Sequence, residues 1–191
     1  MRLAWDGNAF FTPFIGNLMT KVILLLAGAL ALGGCANMTG GGGPRATVRL
    51  QSTTGSTATG SVSFVQSGDK VMVSGLVSGL KPNAEHGFHV HEKGDCSSGD
   101  GMSAGGHFNP GGQPHGNHSG MAHHAGDLPS VKADAGGVAK FSFESKTISV
   151  GSGASDIVGR ALIVHRDPDD YTTQPTGNSG PRLACAVIAR G

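Results

Sequence analysis

The chain has 191 residues, enough for one domain of ordinary size once a leader is set aside. Only 14% of residues are charged and 33 of the 191 are glycine, a balance that suits a loop-rich β protein and excludes a long-helix architecture. The 14 Lys and Arg against 13 Asp and Glu leave a formal +1, and without Arg2, Lys21 and Asp6 the remainder is neutral; with no basic block, nucleic acid is excluded as a partner.

Residues 22–32 (VILLLAGALAL) form an apolar run too short to cross a bilayer as a helix and of the right length for a signal-peptide core. Leu32-Gly33-Gly34-Cys35 then resembles a bacterial lipobox, which makes 1–34 a signal peptide and leaves Cys35 lipid-modified at the new N-terminus. Several acyl chains on Cys35 would hold the protein stably at a membrane, where one chain would be marginal. Ala36 resembles the outer-membrane sorting signal, so the expected location is the bacterial periplasm, anchored as a lipoprotein to the outer membrane. The alternative is a plain secretory leader with an incidental cysteine. Asp6 and several aromatics are odd within a leader, and Met19-Thr20-Lys21 reads as a second, better start. Residues 37–44 (NMTGGGGP) have the composition of a flexible tether, so 35–45 is expected to link the anchor to a folded domain over 46–191.

From Ala46 onward short runs alternate apolar and polar residues: Ala46, Val48 and Leu50; Val62 and Phe64; 70–77; Ala139, Phe141 and Phe143; 161–165. Breaks such as Ser67-Gly68-Asp69 and Asp134-Ala135-Gly136-Gly137 separate them, predicting an antiparallel all-β sandwich or Greek-key barrel. Residues 92–130 and 166–182 lack strand character, and loops of that length in a compact domain are usually functional.

The first of these loops follows Gly87-Phe88-His89-Val90-His91-Glu92, whose period of two places both imidazoles on one face of a strand and Phe88 and Val90 on the other. His107 follows, then His115 eight residues on, His124 nine further, Asp127 three further, and finally His165 on another apolar run. Neutral imidazole suits copper and zinc, and three His with one Asp suits tetrahedral zinc. This pattern predicts two metals.

Residues 87–96 (GFHVHEKGDC), 106–110 (GHFNP), the spacing of His115, His124 and Asp127, 159–165 (GRALIVH) and 177–188 (GNSGPRLACAVI) together closely resemble the copper,zinc superoxide dismutase family, in its bacterial exported form. The resemblance covers roughly Ala46 to the C-terminus with the motifs in the family's order. It implies a flattened eight-stranded antiparallel Greek-key β-barrel of immunoglobulin-like sandwich architecture with two long functional loops. It also implies copper on His89, His91, His107 and His165, and zinc on His107, His115, His124 and Asp127, one ion of each per subunit. His107 is shared as a bridge. By the same resemblance superoxide is dismuted to dioxygen and hydrogen peroxide as copper cycles between Cu(II) and Cu(I), with His107 carrying a proton and Arg182 attracting the anion. Asp169 falls where a carboxylate joins His89 to His115, although Asp167 and Asp170 leave the register open. Cys96 and Cys185 match the family's intramolecular disulfide, which requires an oxidising compartment and accounts, with Cys35, for the odd cysteine count.

His86 matches a structural histidine of the family and stays outside the ligand set. His118 and His123 are expected to face solvent. The second loop lacks the lysine common in eukaryotic members, so Arg182 carries more of the local positive field, with Lys93 and Lys132 as further cations. A second function class is a non-enzymatic periplasmic copper- and zinc-binding protein, since ligands alone do not prove turnover. Relatives include monomers and dimers with different interfaces, so a homodimer stays open.

Overall fold

The computed structural model describes residues 42–191. The signal peptide 1–34, Cys35 and the tether as far as residue 41 lie outside the described residues. The chain from there on is all-β, with strands β1 (Arg45–Ser52), β2 (Thr59–Ser67), β3 (Lys70–Ser78), β4 (Glu85–His86), β5 (Phe88–His91), β6 (Val131–Lys132), β7 (Ala139–Ser145), β8 (Ala161–His165), β9 (Arg182–Val187) and β10 (Ala189–Arg190). Among the described residues there is no α-helix, only a 3-10 turn at Met102–Ala104, and no helix long and apolar enough to cross a membrane.

The eight-stranded antiparallel sheet runs in the order β5-β8-β9-β1-β2-β3-β7, with β10 against β1. β1 belongs to both halves: residues up to Leu50 pair with β2, while Gln51 and Ser52 pair with Ala184 and Cys185 of β9. The short β4–β6 pair, with His86 opposite Val131, joins the chain just before β5 to the chain just before β7, and the sheet curls toward closure there. This is the antiparallel eight-stranded curled sheet that the sequence predicts, consistent with the flattened Greek-key barrel.

The alternation does the folding. In β1, Ala46, Val48 and Leu50 are buried between exposed neighbours, and in β2 Val62 and Phe64 play the same part. These side chains meet Phe88, Val90, Leu162, Val164, Ala184 and Ile188 in one core. Phe88 packs edge-on against Phe141 at 5.2 Å between ring centres. Full burial of each such large side chain stabilises by about 1.5–3 kcal/mol.

β5 is buried on both faces, which the alternation alone does not say. Phe88 and Val90 join the core, while His89 and His91 lie opposite Ile163 and Ala161 of β8 on the outer face. That outer face carries its own small apolar cluster: Ala104, Ala161, Ile163 and Cys185, with Cys96 against it. The Cys96–Cys185 disulfide forms, with Cα atoms 5.9 Å apart, and pins the first long loop over this face.

Candidate metal centre

The histidines of β5 and the loops that cover them make two buried donor groups. His89, His91, His107 and His165 place one donor atom each within 4.8 Å of one another, and so do His107, His115, His124 and Asp127. His107 belongs to both. Two isolated bridges hold the first loop in place, pairing His89 with Asp127 and His91 with His107. His107 and Asp127 are therefore set by backbone pairing to the strand that carries His89 and His91.

The outer contacts of each ring fix its tautomer. A carbonyl only accepts, so His91 Nδ1 donates to Gly105 O at 2.9 Å and His165 Nδ1 to Gly180 O at 3.2 Å. Each then keeps a lone pair on Nε2, and those two Nε2 atoms face one another at 3.4 Å. Two lone pairs that close repel unless a proton or cation lies between them. Burial first, then the neighbouring His107, His165 and Arg182, push the His91 pKa well below 6.5, which disfavours a proton there. His165 is lowered likewise, by burial first and then His89.

The other nitrogens point the same way. His89 Nε2 lies 3.0 Å from Asp169 Oδ2, and its Nδ1 is buried without a hydrogen-bond partner. His107 Nδ1 lies 2.8 Å from Asp127 Oδ1, and its Nε2 is buried without a partner. His115 Nδ1 and His124 Nδ1 approach the Asp127 carboxylate at 3.1 and 3.3 Å, yet neither has hydrogen-bonding geometry to it. Nitrogens that converge beside a carboxylate without bonding to it are directed at a point between them. The residues therefore fit two cations: imidazoles alone for copper, three imidazoles and a carboxylate for zinc.

Asp127 is poised for this. Burial opposes its charge, but His107, His115 and His124 outweigh it and hold the carboxylate well below its usual range. Its Oδ2 also accepts the backbone N–H groups of His124 and Gly116, at 2.9 and 3.2 Å. Burial also opposes charge on His115, yet its contacts with Asp127 and Asp169 prevail and raise it to about 10. His107, more deeply enclosed, is lowered to about 4 by burial, against the pull of Asp127.

Three acids leave the second loop's register open in sequence, and their surroundings distinguish them. Asp167 pairs with Arg166 at the surface, and Asp170 receives the Thr172 and Thr173 hydroxyls. Asp169 is buried, with Oδ2 at His89 and Oδ1 at 3.2 Å from His115 Nε2. Desolvation raises its pKa, but His115 and His89 more than compensate and hold it ionised.

Arg182 reaches this face through a bulge. Val164 pairs with Ala184, but His165 pairs with Arg182, so Leu183 is the extra residue of β9. Leu183 packs on the main core, while the guanidinium turns to the first loop and donates to Gly101 O at 2.5 Å and Gly105 O at 2.6 Å. Burial lowers its pKa somewhat from the usual arginine range, and an arginine there keeps its charge.

Two histidines differ from expectation. His123 is buried, because its Nδ1 donates to the carbonyl of His124 at 2.7 Å and the ring folds under the loop. His118 is half-covered, with its ring 6.1 Å from that of Tyr171. His86 is fully buried and donates from Nδ1 to His165 O at 2.8 Å, outside both donor groups. Lys132 is exposed and lies 3.6 Å from Glu85, which offsets its charge. Sequence reasoning missed Gly105, whose carbonyl serves both His91 and Arg182, and Gln174, which bonds the His115 backbone. The only available signal for the first is the glycine itself at φ +74, where an added Cβ would run into Glu92.

Comparison with known proteins agrees with this geometry. Residues 58–188 match the family model described as copper/zinc superoxide dismutase. A superoxide dismutase [Cu-Zn] of Paramecium bursaria Chlorella virus 1 is 47% identical over 135 residues, covering 68% of this chain and 71% of that protein. The crystal structure of the clock protein EA4 is similar with a TM-score of 0.70 and 41% identity, covering 76% of this chain and 93% of that one. With its barrel, its paired donor groups and a match over most of its length, the chain belongs to the copper/zinc superoxide dismutase family.

Proposed function

We propose that the chain dismutes superoxide at this centre, with copper on His89, His91, His107 and His165 and zinc on His107, His115, His124 and Asp127. The activity and both metals are those of the family. The assignment of roles to single residues rests chiefly on His107, whose Nδ1 meets Asp127 while its buried Nε2 has no partner.

Two superoxide ions and two protons give one dioxygen and one hydrogen peroxide. Copper held by His89, His91, His107 and His165 would supply the one-electron chemistry. The side chains do the rest. Arg182, whose guanidinium sits at the Gly101 and Gly105 carbonyls beside His91, would draw the anion toward the copper donors and hydrogen-bond it. His107, whose buried Nε2 has no partner in the protein, would take a proton there and pass it to the departing peroxide. Asp169 keeps His89 and His115 oriented, so neither ring turns when charge changes at the centre.

The non-enzymatic reading is not favoured, since metal storage needs neither the shared His107 nor Arg182 held at the metal face. Replacing His107 with Ala tests the reading: dismutation should be lost while the chain folds and keeps its disulfide, and turnover at the wild-type rate would overturn it.

The protein is exported and held at a membrane through lipid on Cys35, in the bacterial periplasm. What supports this is the apolar run 22–32 ahead of Leu32-Gly33-Gly34-Cys35, and the disulfide, which needs an oxidising compartment. Mature protein beginning at an acylated Cys35, and release from membranes by Cys35→Ser, are the expected results. An unmodified, soluble wild-type chain would contradict them.

A further inference from the structure

The second long loop presents one exposed side chain with an uncommon pair of contacts. Gln174 Oε1 accepts the backbone N–H of His115 at 2.9 Å, and Gln174 Nε2 donates to the carbonyl of the same residue at 2.9 Å. The side-chain amide thus pairs both backbone groups of a residue 59 positions away, as a neighbouring strand would.

His115 is one of the points where the two loops meet, besides Arg182 at Gly101 and Gly105 and the Asp169 N–H at Ser130 Oγ. Among the described residues, the hydrogen bonds and ion pairs between 107–127 and 166–181 all end on it: Asp169 Oδ1 and the Asp170 carbonyl each lie 3.2 Å from its Nε2, and Gln174 holds its backbone. Its other ring nitrogen, Nδ1, lies 3.1 Å from Asp127 without bonding to it, directed at the zinc position. A shift of the His115 backbone would therefore move Nδ1 off that position or Nε2 off Asp169. Gln174 is itself seated on a tight turn, because the Asp170 carboxylate receives the Thr172 backbone N–H and hydroxyl at 2.9 and 2.7 Å. The Gly177 N–H closes that turn on Thr173 O at 2.9 Å.

We propose that Gln174 is a positioning residue for the zinc half of the centre: it fixes the His115 backbone so that Nδ1 faces Asp127 and Nε2 faces Asp169, and so joins zinc binding to closure of the second loop. The inference rests on the ligand assignment above. It concerns a residue outside both donor groups, and one whose exposure leaves the core untouched when it is replaced.

The test compares wild type with Gln174→Met, which keeps reach but makes neither bond, and Gln174→Glu, which accepts from the N–H but cannot donate to the carbonyl. Zinc affinity is measured by chelator competition on the full chain, Co(II) absorption reports the geometry of the zinc position, and copper affinity is measured separately. Zinc affinity should fall about 10-fold or more in the Met variant and less in the Glu variant, with a shifted cobalt spectrum and copper affinity within about twofold of wild type. At saturating zinc the Met variant should still be cut by protease within 166–181 faster than wild type. A Met variant with wild-type zinc affinity, cobalt spectrum and protease resistance would overturn the proposal. Wild-type protein that takes up no zinc would instead overturn the ligand assignment, and the proposal with it.

Discussion

His91 and Arg182 share one hydrogen-bond acceptor, the carbonyl oxygen of Gly105, at 2.9 and 2.6 Å. The imidazole assigned to copper and the cation proposed to meet the substrate are therefore positioned by a single peptide group of the first loop. That loop is held to β9 by Cys96–Cys185, three residues along from Arg182.

Breaking the disulfide should loosen both residues at once. Residues 96 and 185 are 89 apart, and a bridge closing a loop of that size stabilises by about 4–5 kcal/mol in the chain-entropy model. Cys96→Ser with Cys185→Ser should lower the melting temperature by roughly 10 °C or more and reduce turnover per bound copper. Unchanged turnover per copper would show that Gly105 is held without the bridge.

Arg182 should act on encounter more than on metal binding. Arg182→Ala should lower the second-order rate by about 10-fold or more and flatten its dependence on ionic strength, since local positive potential speeds anion association by about 10–1,000-fold. Copper content should stay at the wild-type level. A variant with full rate and the wild-type salt slope would remove Arg182 from the account.

Asp169→Asn should weaken metal binding at two positions together. It would remove a charge that orients His89 and His115, and losses of such outer partners cost about 10–100-fold in metal affinity. Gly177→Ala should do similar damage by another route, since Gly177 has φ +67 and an added Cβ would overlap Asp169 Oδ1 and crowd the His115 ring. Metal competition assays on both variants check this.

The metal-free chain should be least tolerant of mild acid. His107 falls from 6.5 to about 4, and His91 and His165 fall well below 6.5, each chiefly through burial. A histidine whose folded pKa is depressed binds fewer protons folded than unfolded, so stability drops as pH falls from about 6.5 toward 4. His115 runs the other way: raised to about 10, it contributes fully below 6.5 and less as pH climbs to 10. The metal-free melting temperature should therefore fall between about pH 6.5 and 4.5, while the metal-loaded protein holds its value, because bound metal keeps protons from the same nitrogens. A flat metal-free profile over that range would contradict the burial argument.

Much of the site is legible in sequence because its signals are residue types at fixed spacing. His89 and His91 announce a strand face, and His107, His115, His124 and Asp127 announce donors in number. The shared role of His107 and the Cys96–Cys185 pairing come from family resemblance rather than spacing. What the residues do not announce is geometry supplied by the backbone. The Gly105 carbonyl has no side chain to read, and the bulge at Val164/His165 that aims Arg182 appears only when β8 and β9 are paired. Asp169 separates from Asp167 and Asp170 only by burial. Gln174 is a lone polar residue in a loop, with no period to mark it. His123 reads as surface, and turns inward because the neighbouring carbonyl accepts its ring N–H.

The most direct test of the account is superoxide dismutation measured against bound copper in zinc-loaded, disulfide-intact protein. Activity should rise in proportion to copper and level off at one ion per chain. Protein carrying both metals and the disulfide, yet without activity, would contradict the assignment of this centre as the site of dismutation.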